Sequence, residues 1–121
     1  MTDERPPVWI GHVSLSVRDF AGSLGFMAAL GMRTVARMDD LAVLELRGGT
    51  HLVLRADPEA EPAAAPFDLM VDDLAAQHAA LTAAGHAPGP IQRGKIHARF
   101  EVEEPSGHRV SFYDSHVAGP V

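Results

Sequence analysis

VRDFAGSLGFMAALGM, residues 17–32, is followed 54 positions later by VDDLAAQHAALTAAGH, residues 71–86. Each begins with Val, a charged residue, Asp and an apolar residue, and each has a glycine one residue before its end, Gly31 and Gly85. A repeat at this spacing constrains the whole fold, because both copies must satisfy the same local geometry. Working outward, each copy is preceded by an apolar strand. In His12–Val17, HVSLSV, residues alternate strictly, so Val13, Leu15 and Val17 share one face and His12, Ser14 and Ser16 the other. In the second copy FDLMV, from Phe67, plays the same part.

Asp19 is placed to cap a helix over residues 20–30 that Gly31 ends. Phe20, Leu24, Met27 and Leu30 recur at helical spacing and should face the core. Gly22 and Gly25 weaken this helix by ~1 kcal/mol each relative to alanine, so packing must hold it. Strands are expected over 32–38, 41–47 and 50–55, with Asp39-Asp40 and Gly48-Gly49 as turns. DPEAEPAAAP, residues 57–66, reads as a linker. Beyond it, Asp72 or Asp73 caps a helix to Ala84, Gly85 stops it, and strands follow near 89–93, 96–103 and 108–114. The order is βαβββ twice. The expected class is α+β in a single domain over residues 1–121, with modules at 8–56 and 67–116.

The chain has 121 residues with a formal net charge of −6, which disfavours a nucleic-acid surface. No apolar run approaches the length of a membrane span. The absence of cysteine excludes disulfides, thiolate nucleophiles and thiolate-bound zinc. MTDERPPV lacks the basic-then-apolar order of a signal peptide, so a cytoplasmic location is expected.

Three signatures together resemble the vicinal oxygen chelate superfamily of glyoxalases, bleomycin resistance proteins and extradiol dioxygenases. They are His12 with VRDF and Leu30-Gly31, the FDLMVDDLAAQHAALTAAG unit, and EPSGHRVSFYD, which is similar to that family's D-P-x-G turn and last strand. The resemblance implies that each module curls into a half-barrel with its helix outside, the two closing round a cup. The first helix departs from the family in carrying Phe26-Met27 where Phe-Tyr is frequent.

If the apolar parity of each strand packs on a helix, the other parity lines the cup. That places His12, His51, Val53, Arg55, Asp68, Met70, His97, Arg99, Glu101, Arg109, Ser111 and Tyr113 inside. So many ionisable groups on one concave surface mark a functional site, because buried charges are costly unless paired, solvated or metal-bound.

The resemblance puts the family's four metal-ligand positions on His12, His51, Pro66 and Ser111. Proline cannot ligate and serine ligates poorly, so half of the quartet is missing. Glu101 is the best replacement for a site of two histidines and a carboxylate, holding Zn, Ni, Mn or Fe. Asp68 and His97 are alternatives, and Glu101 is equally suited to pairing with Arg99 or Arg109. His97 and Glu101 are the candidate catalytic groups; Arg99, Arg109, Tyr113, Asp68 and Ser111 are candidate substrate contacts. His78 and His86 read as solvated, His108 as turned outward, and His116 as near the cup rim.

The expected function is a metal-dependent lyase, isomerase or related enzyme acting on a small anionic, oxygen-rich substrate. The alternative is a metal-free protein that binds a small, antibiotic-like molecule. The resemblance also implies a homodimer. No nucleic-acid or membrane partner is expected.

Overall fold

The computed structural model describes residues 2–121. Two compact units divide the chain, one of residues 1–61 with 117–121 and one of residues 62–116. In the first unit the order is β1 (His12–Val17), α1 (Phe20–Ala29), β2 (Arg33–Arg37), β3 (Leu41–Glu45) and β4 (His51–Ala56). In the second it is β5 (Ala64–Val71), α2 (Leu74–Ala83), β6 (Gln92–Arg93), β7 (Ala98–Glu103) and β8 (Arg109–Asp114). Each unit is a four-stranded mixed sheet, β1-β4-β3-β2 and β5-β8-β7-β6. The duplicated βαβββ order is therefore present. The pairs β1–β4 and β5–β8 are parallel and the others antiparallel.

Local chemistry sets the helix limits. Asp19 Oδ1 accepts the Gly22 N–H at 2.9 Å, and Asp73, rather than Asp72, accepts that of Ala76 at 2.9 Å. Each cap satisfies a backbone donor that the first turn leaves without a partner. At the other end of α2, Gly85 has φ 91° and donates to Thr82, while His86 donates to Leu81. That pair of bonds is a Schellman motif, and its left-handed residue is why a glycine stands there.

Strand parity sorts the core. In unit 1, Leu15, Val17, Ala42, Leu44, Leu52 and Leu54 are buried together with Leu24, Phe26 and Met27 of α1. In unit 2, Leu69, Ala98, Phe100, Val102, Val110 and Phe112 are buried with Leu74 and Leu81 of α2. The Phe100 and Phe112 rings stack at 5.0 Å with 7° between their planes. Each such side chain contributes about 1.5–3 kcal/mol by leaving water. The opposite face of each sheet is left to the polar parity.

Several boundaries move. β5 begins at Ala64, inside the stretch read as linker, and carries Pro66. Its pairing with β8 slips between Ala64 and Asp68, which accommodates a residue that has no N–H to donate. β2 carries a bulge between Thr34 and Ala36, so Arg33 lies opposite Glu45 while Arg37 lies opposite Ala42 on the helix side. There its guanidinium sits 6.0 Å from the Phe20 ring centroid.

Two histidines correct the sequence reading. His108, expected to point outward, is 5 % exposed, and its Nδ1 accepts the Ala63 N–H at 3.2 Å. Beside it, Glu104 is 3 % exposed and its Oε1 accepts the Ser106 and His108 N–H groups at 2.9 and 3.1 Å. The turn therefore folds its polar side chains inward to satisfy its own backbone. His78, expected in solvent, is half-buried; its Nε2 lies 2.8 Å from the Gly89 carbonyl and its ring stands edge-on to Phe100 at 5.0 Å. The segment after α2 folds back over it, which helical spacing alone does not foretell. His86 is only partly exposed.

Candidate functional site

The first polar row lies across unit 1 on the face opposite α1. β1 and β4 run parallel with His12 opposite His51. β4 and β3 run antiparallel with His51 opposite Glu45, and β3 and β2 with Glu45 opposite Arg33. Four strands thus bring His12, His51, Glu45 and Arg33 into one lateral line. The two imidazole centroids are 5.7 Å apart with their planes tilted by 30°. His51 Nε2 lies 3.3 Å from Glu45 Oε1, and Arg33 Nη2 engages Glu45 Oε2. The His51 side chain is 29 % exposed and that of Glu45 24 %, so neither side chain is isolated from water. The start of β1 is held from the side as well. The Thr50 hydroxyl donates to the Ile10 carbonyl at 2.6 Å, and the His51 N–H to that of Gly11 at 2.8 Å.

The sequence reading missed Glu45. The signal for its face was present, since Ala42 and Leu44 are the buried parity of LAVLE. Its partner was not legible, because that depends on the register between β3 and β4.

In unit 2 the polar parity forms adjacent rows. One joins Asp68, Ser111 and Glu101; the next joins Met70, Tyr113 and Arg99, with Gln92 beyond. The Ser111 hydroxyl donates to Glu101 Oε2 at a long 3.5 Å. The His97 ring stands edge-on to Tyr113 at 4.5 Å and stacks on His116 at 5.2 Å. His97 Nδ1 is buried without a hydrogen-bond partner. Asp114 accepts the Ala98 N–H at 2.9 Å, which fixes the strand beside these rings. Arg109 lies further along, opposite Glu103, and is exposed. The structure therefore groups Asp68, Ser111 and Glu101, and separately His97, Tyr113 and Arg99, while Arg109 stands apart from both sets.

Donor chemistry tests the family's metal quartet. His12 and His51 are adjacent, but Pro66 offers no side-chain donor and the Ser111 hydroxyl is turned to Glu101. Among the described residues, no three His, Cys, Asp or Glu side chains gather as a metal site would require. The residues present do not fit that quartet.

Comparison with known proteins places this arrangement. The profile of the glyoxalase/bleomycin resistance protein/dioxygenase superfamily matches residues 9–112. The chain belongs to that superfamily. The superfamily member is similar in structure to a lactoylglutathione lyase from Agrobacterium tumefaciens, with TM-score 0.78, 16 % identity, and coverage of 94 % of this chain and 98 % of the other. A bleomycin resistance determinant encoded on transposon Tn5 matches with TM-score 0.71 and 21 % identity, covering 91 % and 100 %. An antibiotic-binding protein from Streptomyces sp. CB03234 matches with TM-score 0.76 and 18 % identity, covering 93 % and 100 %. At these identities the likeness shows the fold. No curated protein matches the chain significantly. Among the described residues no helix is long and apolar enough to cross a membrane.

Proposed function

We propose that this superfamily member binds a small organic molecule on a polar sheet face, without the family's metal quartet. The observation that carries the reading is the division of each sheet. One face is sealed by a helix and apolar side chains. The other holds His12, His51 and Glu45 in unit 1, and Asp68, Glu101, Arg99 and Tyr113 in unit 2, all at least partly exposed. Such rows offer hydrogen-bond donors, acceptors and charge of both signs to a ligand. In unit 2, Arg99 favours an anionic group on a molecule bound to that sheet. The shared fold of the bleomycin resistance determinant and the antibiotic-binding protein supports the same reading.

A second reading is a metal-dependent lyase or isomerase, favoured by the His12–His51 pair and by the fold shared with lactoylglutathione lyase. It requires a further ligand beyond that pair, and Zn, Ni, Mn or Fe. Either reading is compatible with the expected homodimer, which light scattering of the purified protein tests.

The deciding experiment is a thermal-shift and calorimetric screen of anionic and hydroxylated aromatic compounds, bleomycin included. A ligand at a hundred times its Kd stabilises the folded state by about 2.7 kcal/mol. Binding that weakens in Arg99→Gln or His51→Gln supports the proposal. A screen with no ligand, or turnover that depends on added metal, overturns it.

A further inference from the structure

We infer that Glu45 is a positioning residue that holds His51 in the Nε2–H form, so that Nδ1 accepts a hydrogen bond from a hydroxyl group, a phenol or enol, on the bound molecule. The inference deepens the small-molecule reading above and rests on it. His51 Nε2 lies 3.3 Å from Glu45 Oε1. A bare nitrogen lone pair facing a carboxylate oxygen is repulsive, whereas an N–H facing it is attractive. Neutral His51 therefore carries its proton on Nε2, which leaves the lone pair on Nδ1.

Glu45 is itself held. Arg33 engages its other oxygen, so each carboxylate oxygen has a separate partner. The alignment follows from strand register: Arg33, Glu45, His51 and His12 occupy matching positions on neighbouring strands. The ionisable groups flanking His51 are Glu45 on β3 and His12 on β1, with Arg33 beyond Glu45.

The test uses the full chain labelled with nitrogen-15. Long-range proton–nitrogen spectra are taken near pH 8, roughly 1.5 units above the ordinary value of a free imidazole. His51→Gln and His12→Gln assign the signals. The expected result is His51 in a single Nε2–H form. In Glu45→Ala the two ring-nitrogen signals should converge as the tautomers mix. Glu45→Gln should rescue the single form, because its amide oxygen still accepts. Signals unchanged in Glu45→Ala, or an Nδ1–H form in the wild type, would overturn the positioning role.

The ligand class is read with phenol against anisole, which replaces the hydroxyl proton by a methyl. The phenol should move the His51 Nδ1 signal and bind about tenfold more weakly to Glu45→Ala, the loss expected for one charge-assisted hydrogen bond. An equal response to both compounds, or none to either, overturns the hydroxyl assignment. Failure of the wider reading is separate and shows as the absence of any ligand in the screen above. Equimolar zinc is the last arm. A Glu45-dependent shift of both His12 and His51 would make these three a metal site and overturn the proposal.

Discussion

Glu104→Ala should be among the most damaging single changes in unit 2, although Glu104 lies in a turn. The side chain is 3 % exposed, and its Oε1 accepts the Ser106 and His108 N–H groups at 2.9 and 3.1 Å. Truncation leaves both donors without that acceptor in a place that water does not reach. Each buried donor left unpaired costs about 1–3 kcal/mol, so the expected loss is about 2–5 kcal/mol. The loosened turn also carries His108, whose Nδ1 fixes the Ala63 N–H at the entry to β5. Glu104→Gln keeps an oxygen acceptor at the same place and should lose roughly half as much or less. The assay is urea unfolding followed by circular dichroism and by the fluorescence of Tyr113, the single tyrosine, which lies on β8 in the same unit. For a chain of this size about 3–5 °C of Tm is expected per kcal/mol, so a melt should show the same order of effect. A loss below ~0.5 kcal/mol in Glu104→Ala, or equal losses in both variants, would refute the reasoning.

Phe100→Ala should cost about 3–5 kcal/mol, since the ring is 2 % exposed, stacks on Phe112 and receives the edge of His78; equilibrium unfolding checks it. Asp73→Ala should cost about 1 kcal/mol by releasing the Ala76 N–H, while Asp73→Asn should be nearly neutral, and urea midpoints distinguish the two. Protein purified without chelator and assayed by elemental analysis should carry far less than one metal per chain. Near-stoichiometric metal lost in both His12→Ala and His51→Ala would restore the metal-enzyme reading.

Much of the fold was legible in the chain because the signals are local. The duplicated Val-x-Asp-apolar unit, alternation in HVSLSV and HLVLR, and the aspartate and glycine at the helix ends each act within a few residues. The buried parity follows from the twofold period of a strand, and it places Leu52, Leu54, Phe100, Val102, Val110 and Phe112 inside as expected. Where two faces compete, the apolar set wins burial because it loses nothing by leaving water.

What the chain alone could not determine is lateral. His12 and His51 were each visible, but their pairing at 5.7 Å and the closure of Glu45 on His51 depend on register between strands distant in sequence. The same limit hid the burial of His108, because its acceptor role is fulfilled by Ala63, 45 residues earlier. Local pattern determined which way the apolar strand side chains face. Only the tertiary structure decided which neighbours it meets, because hydrogen bonding between strands is a property of pairs and is written in neither strand alone.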